Sequence, residues 1–316
     1  MKLASSRIPA RLNVVLGSVL LGLHLLVLLA LPLLPLPTAW AAAALAAVAL
    51  LSPTLWALVH EAIHGLLLPQ RRWNQLGGRV LAIAFGAPLR ALRFAHLRHH
   101  RYNRTPWGRD EVYDPAEQPR WFAYVAHYVR ITFGLYAAEL AVLLACWLPR
   151  SLLLPPLRRA CPDLPDGSAG MATMLERDLL AAQGVREMRI DSLCVLALYG
   201  SAIALYGSRA WLVVGFLAIR AFLASQFDHA PHHATPLEQR DHALNLTAPR
   251  WLHRVLLNFP LHRTHHQNPN LPWVALPEAS TFQPGDVSFV RGVLRQWRGP
   301  VAVGDAPPMD VPSPLR

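Results

Sequence analysis

The sequence predicts an all-α integral membrane protein, with four to six transmembrane helices and a histidine-rich cap on the cytoplasmic side. Three observations lead there. Hydrophobic residues make up 53% of the 316 and charged residues only 16%, where a soluble domain carries about 25% charged residues. The apolar residues gather into long uncharged runs. The basic excess, 30 Lys+Arg against 19 Asp+Glu, is nearly all arginine and falls in the loops between those runs. Disorder and an ordinary cytosolic globule are therefore excluded. A basic balance suits nucleic acid, anionic lipid or an acidic protein; with this much apolar sequence the membrane comes first, and no nucleic-acid partner is expected.

The first helix is the uncharged run 12–31, preceded by Lys2, Arg7 and Arg11. It is too long for the apolar region of a signal peptide, about 7–15 residues, and approaches the roughly 20 that a span needs. We read it as an uncleaved helix with a cytoplasmic N-terminus, despite the cleavage-like Ala-Trp-Ala at 39–41. Pro-Leu-Leu-Pro-Leu-Pro (32–37) breaks it, and a second uncharged run, 38–59, returns to His60. The next apolar piece, 80–89 between Arg79 and Arg90, is too short for a bilayer core about 30 Å thick, which predicts an interfacial or re-entrant segment. Residues 131–148 are just long enough to span, with Glu139 in the middle. The stretch 190–227 predicts either a tight hairpin turning at Gly207-Ser208-Arg209 or one long tilted helix. Both arginine-rich loops, 65–120 and 228–270, belong in the cytoplasm by the positive-inside rule, so an even number of crossings separates them. No internal repeat is visible. The expected organisation is one membrane domain over residues 1–280 and a loosely ordered cytoplasmic C-terminal tail over 281–316.

Cys146, Cys161 and Cys194 form neither a C-x-x-C pair nor an even framework, which argues against disulfides and against a thiolate metal site. Histidine is the anomaly. Of 15, most fall in four clusters: His60-Glu-Ala-Ile-His64, His96-Leu-Arg-His99-His100, His229-Ala-Pro-His232-His233 and His262-Arg-Thr-His265-His266. Three are H-x-x-H-H, a pattern that chance supplies about 0.03 times at this histidine frequency. On a helix, positions i, i+3 and i+4 share one face, so each cluster is expected to aim two or three imidazoles toward one point. Neutral imidazole binds zinc, copper and iron. The isolated His24, His127 and His253 are read as structural.

The first cluster also matches H-E-x-x-H, the signature of a zinc metalloprotease with Glu61 as general base. Such a site needs three protein ligands and one open position, whereas this chain offers nine or more histidines at matched spacing. Glu61 is better explained as a carboxylate that orients a ligand histidine. Asp110 and Asp114, which follow the second cluster, and Asn245 are expected to act in the same supporting way.

On these clusters the sequence resembles the membrane fatty acid desaturases, a histidine-box superfamily that also holds alkane hydroxylases and carotenoid ketolases or hydroxylases. Its boxes are H-x3/4-H, H-x2/3-H-H and a late H-x2-H-H. His60/His64, His96/His99/His100 and His262/His265/His266 fit them in order, over roughly 55–280 and including His-Glu-Ala-Ile-His-Gly and His-Leu-Arg-His-His-Arg-Tyr-Asn. The boxes are specific for the superfamily and weak on substrate. The resemblance implies two non-haem iron ions, O2 as co-substrate and a cytoplasmic site held by these histidines. It also implies a further ligand region before the last box, with an acid or amide four residues ahead of a histidine; Asp228 and His232 fit that spacing. Between His229, His232 and His233, helical geometry favours His232 as ligand, with Asp228 binding directly or through a water and the other two supporting.

The activity so implied is introduction of a double bond into a fatty acyl chain. A ketolase, carotenoid hydroxylase or alkane hydroxylase is the alternative within the superfamily, and a non-catalytic metal-binding membrane protein the alternative outside it. Expected partners are a membrane lipid or acyl-carrier substrate and an external electron donor such as a ferredoxin with its reductase, since the chain has no haem- or flavin-binding segment. The eight arginines Arg71, Arg72, Arg90, Arg93, Arg98, Arg101, Arg104 and Arg109 serve topology and attraction to anionic lipid, or dock an acidic ferredoxin or a phosphate-bearing carrier. The expected location is a bacterial inner membrane with both termini cytoplasmic. Substrate chain, position of the modified carbon, oligomeric state and the iron that each histidine binds stay open.

Overall fold

The computed structural model describes residues 7–160, 171–237, 239 and 241–306, and it is helical with almost no strand. Helix α1 (Ala10–Leu25) runs through a π turn and a 3-10 turn to Leu33, where the prolines of 32–37 stop it. Helices α2 (Thr38–Ala49) and α3 (Ser52–His64) follow end to end, with Pro53 in the first turn of α3, where its missing N–H leaves nothing unpaired. Next come α4 (Arg71–Phe85) and α5 (Leu89–Tyr102), the short strand β1 (Val112–Tyr113), α6 (Arg120–Val129), α7 (Leu135–Ala145), α8 (Arg150–Ala160) and α9 (Met171–Asp178). Helices α10 (Ala182–Tyr206) and α11 (Trp211–His229) form a hairpin. The short helices α12 (Arg250–Val255), α13 (His262–Gln267) and α14 (Leu276–Ala279) lead to α15 (Phe289–Gln296) and strand β2 (Val301–Ala302).

Among the described residues, four helical stretches are long and apolar enough to cross a membrane: Ala10–Leu33, Thr38–His64, Ala182–Arg209 and Trp211–His229; there are up to six if each of two bent pairs is one span. The first is 24 residues, about 36 Å at 1.5 Å per residue, against a hydrocarbon core of about 30 Å. Its most apolar window is only 28% buried. Val15, Val19 and Leu26 on this helix, and Leu193, Ile203 and Val214 on the α10–α11 hairpin, face outward. Apolar surface on this scale suits lipid rather than water. Of the two readings open for 190–227, the hairpin is the observed one: Gly207, at φ 52° and ψ −119°, turns the chain in a conformation reserved for glycine.

The segment 80–89 is sharply bent. Helices α4 and α5 meet at 97°, around Gly86 at φ 103° with Pro88 just ahead of α5. A Cβ at Gly86 would collide with the Tyr136 hydroxyl. A helix end inside an apolar bundle needs partners for its last carbonyls, and three side chains supply them. Tyr136 Oη donates to the Phe85 carbonyl at 2.8 Å and Tyr199 Oη to that of Ala84 at 2.6 Å. Arg220, fully buried on α11, donates to both, at 2.6 and 3.0 Å, and its guanidinium also lies over the rings of Phe85, Phe216 and Tyr199. Replacing Arg220 with leucine is expected to destabilise the protein by on the order of 3 kcal/mol, the loss of charge-assisted bonds to carbonyls that water cannot reach. Arg220→Lys should lose less. Thermal unfolding of the purified variants in one detergent checks the order.

The segment expected to be a loose tail is packed as far as residue 306. Strand β2 pairs in parallel with β1, Val112 beside Val301 and Tyr113 beside Ala302. Val287, Phe289 and Val293 pack on a small core of Ala230, Leu244 and Leu246, and the Thr247 and Phe289 backbones bond across to close it, Thr247 N–H to the Val287 carbonyl at 2.9 Å and Phe289 N–H to the Thr247 carbonyl at 2.8 Å. An amphipathic stretch of this length finds a partner face only in three dimensions, which corrects the expectation. Residues 307–316, and Cys161, lie outside the described residues; Cys146 and Cys194 are free thiols.

Candidate metal centre

Nine of the ten residues expected to bind metal converge in two groups. His60, His64, His96, His100 and His265 form one, and His99, His232, His262 and His266 the other; within each, one ligand atom per residue lies within 4.8 Å of all the rest. Helical angle explains the division. Neighbouring residues on an α-helix point about 100° apart, so positions i+3 and i+4 diverge while i and i+4 nearly align. On α5, His96 and His100 turn to the first group and His99 to the second. On α13, His262 and His266 turn to the second and His265 to the first. Box one, on α3, contributes its i, i+4 pair to the first group alone. The H-x-x-H-H boxes on α5 and α13 thus each serve two points, where the spacing had suggested one.

The donor set fits metal. Nε2 atoms face one another at 2.8 Å (His64–His96), 3.0 Å (His96–His100, His100–His265 and His99–His232) and 3.2 Å (His99–His266). Two imidazoles bound at right angles to a metal about 2.1 Å away have nitrogens about 3.0 Å apart. A ring nitrogen offers either one proton or one lone pair, so His96 and His100, each facing two others through one nitrogen, cannot be satisfied within the cluster. The His60 Nε2 is buried with no hydrogen-bond partner. A cation at each centre resolves these conflicts. Burial, aided by neighbouring imidazoles, pushes His232, His262, His265 and His266 well below the ordinary histidine range. They are neutral near pH 7, the form that ligates.

Asp228 belongs to neither group. Its helix ends at His229 and the chain then turns, with the His232 and His233 N–H groups both donating to the His229 carbonyl, at 3.0 and 3.1 Å. That break takes His232 away from the helical face it was expected to share with Asp228 and sets it against His99, His262 and His266, ring centroids 4.5–4.9 Å apart. His229 and His233 face His127 instead, at 6.5 and 5.7 Å, and the His233 Nε2 bonds to the Gly299 carbonyl.

The supporting residues divide. Glu61 is buried and accepts from the Trp273 N–H at 3.3 Å rather than from a ligand histidine, and it shares a small cavity with His60, His262 and His265. Asp110 pairs with Arg130 at 2.9 Å. Asp114 accepts from the Ala116 N–H in a turn, so its role is local. Asn245 holds box three at its middle residue through both ends of its amide, donating to Thr264 Oγ1 at 2.9 Å and accepting from the Thr264 N–H at 3.2 Å.

Two further residues, Arg104 and Asp286, carried no sequence signal for the roles they play. Arg104, grouped by sequence with the docking arginines, is wholly buried. It donates to the His232, Thr235 and Pro236 carbonyls and pairs with the buried Glu111 at 2.7 Å, so it fixes the loop that carries His232. Asp286, in the supposed tail, pairs with Arg263 at 2.6 and 2.7 Å and accepts from the Asn245 N–H at 3.0 Å. The isolated His127 is structural, its Nε2 bonding to the Gln296 carbonyl at 2.8 Å.

No curated protein and no solved structure matches the chain. Residues 34–284 match the family model described as fatty acid desaturase. That match covers well over half of the sequence and contains every histidine of both groups, so the chain belongs to the fatty acid desaturase family.

Proposed function

We propose that the protein is an O2-dependent oxidoreductase that introduces a double bond into a fatty acyl chain, using two irons held by the two histidine groups. The observation that carries this reading is the five-plus-four division of nine histidines, six buried and three half-buried, within a chain of this family. When bound, such a pair supplies the oxidising power to remove hydrogen from an unactivated C–H bond. The overall change balances as one –CH2–CH2– unit, O2, two electrons and two protons giving –CH=CH– and two waters. The electrons come from a separate donor protein.

The chain's own residues position and shield. His60, Glu61, His262 and His265 form the polar side of a cavity of about 10 Å3, and Ala57, Leu257, Phe259, Trp273 and Leu276 supply the apolar remainder. A space this small admits about one water rather than an acyl chain, and its apolar lining serves to keep bulk water from the histidines. The zinc protease reading finds no support, because His60 and His64 share their group with three further histidines where a zinc protease has one more ligand and an open position. We place the site and the arginine-rich loops on the cytoplasmic side of the membrane on the positive-inside rule.

Fatty acid and lipid profiling of cells with and without the gene, together with metal analysis of the purified protein, tests the proposal. New double bonds and about two irons per chain are the expected result. New hydroxyl or keto groups would move the protein to another branch of the superfamily. A reproducible single zinc without iron would overturn the di-iron reading.

A further inference from the structure

A second concave site lies away from the histidines, enclosed by α4, α5, α9 and α10. It has a volume of about 990 Å3, and seven guanidiniums and two carboxylates line it. Both carboxylates are taken: Glu187 pairs with Arg90 and Asp178 with Arg177. Arg71, Arg72, Arg93, Arg98 and Arg101 have no carboxylate within ion-pair distance among the described residues. Arg93 is the innermost of them. It donates to the Gln75 side chain at 3.0 Å and to the Ala62 carbonyl, between His60 and His64, at 3.2 Å, and its Nε–H is buried without a partner. Five like charges converging on one cavity repel one another unless an anion joins them.

We propose that this cavity binds the phosphate ester of a net-anionic ligand. Guanidinium forks match phosphate oxygens in pairs, and a concave site of this size suits a small ligand better than the flat face of a protein. Phe94, Met174 and Leu179 give it an apolar floor, and Leu97, on its edge, is 44% exposed. That mixture fits an anionic phospholipid, head group among the arginines and chains leaving over Leu97. The cavity lies on the face of α5 opposite His96, His99 and His100, so its occupant is distinct from the acyl chain being oxidised. Arg93 ties it to α3, the helix of the first histidine box.

The test uses the full-length protein in detergent, titrated with phosphatidylglycerol, with phosphatidylcholine of the same chain length and with inorganic pyrophosphate. Phosphatidylglycerol is expected to bind saturably and about tenfold or more tighter than phosphatidylcholine. The exposed pair Arg71→Gln/Arg72→Gln should weaken it about tenfold, while Arg250→Gln/Arg254→Gln, with the same charge change on α12, should leave it unaltered. Displacement by pyrophosphate would show that the phosphate alone suffices, and its failure to displace would make the lipid the source; either supports the site. Equal affinity for the two lipids, or equal weakening in both double variants, would overturn it and leave docking of an acidic protein as the use of this face.

Discussion

Exchange of His232 for alanine is expected to leave the purified protein with about one iron per chain where the parent holds about two, and with activity at background. His232 is one of only four nitrogens in its group, and the others are too few to hold an ion against water. Alanine at Asp228 should keep both irons, because that carboxylate stands outside both groups. His229→Ala and His233→Ala should also keep both, since these rings turn to His127. Metal analysis of the four variants separates the geometry seen here from the i, i+4 pairing that the sequence suggested. Loss of iron in Asp228→Ala with retention in His232→Ala would overturn the assignment.

Asp286→Ala should have the broader effect and empty both groups. The Asp286 carboxylate is buried, fixes the Arg263 guanidinium with two short bonds and also receives the Asn245 and Gln283 N–H groups. Its removal leaves a buried cation unpaired, a change that costs about 3–5 kcal/mol. Arg263 lies inside box three, between His262 and His265, and α13 is only six residues long. A helix so short does not hold itself together. When it loosens, one group loses His265 and the other loses His262 and His266. Removal of residues 281–316 should act in the same way. Iron content near zero together with a lowered unfolding temperature is the expected pair of readings; unchanged metal content in Asp286→Ala would show box three to be held by Asn245 alone.

Much of this architecture is legible in the sequence. The uncharged runs marked the spanning helices, because the length of an apolar run must match a bilayer of fixed thickness. That 80–89 is no straight span followed from a run too short to cross. Eight of the nine histidines followed from the spacing of the three boxes, since i, i+3 and i+4 are the separations that a helix turns toward a common side; His232 was chosen for a helical face shared with Asp228, and that face is broken. Even the isolated histidines were separable by their solitude, as His127 shows.

What the sequence determined by itself was therefore inventory and local direction: which segments are helical and apolar, and which histidines project together from one turn. The tertiary structure alone decided how those histidines divide. On one helix, i+3 and i+4 diverge by about 100°, but whether they meet one metal or two depends on what stands opposite, and that is set by the crossing of α3, α5 and α13. The same holds for Asp228, displaced because α11 ends at His229, for Arg104 and Glu111 beneath the His232 loop, and for Asp286, some twenty residues beyond the box it secures. Each acts through a partner far along the chain, and periodicity reports only on neighbours within a turn or two.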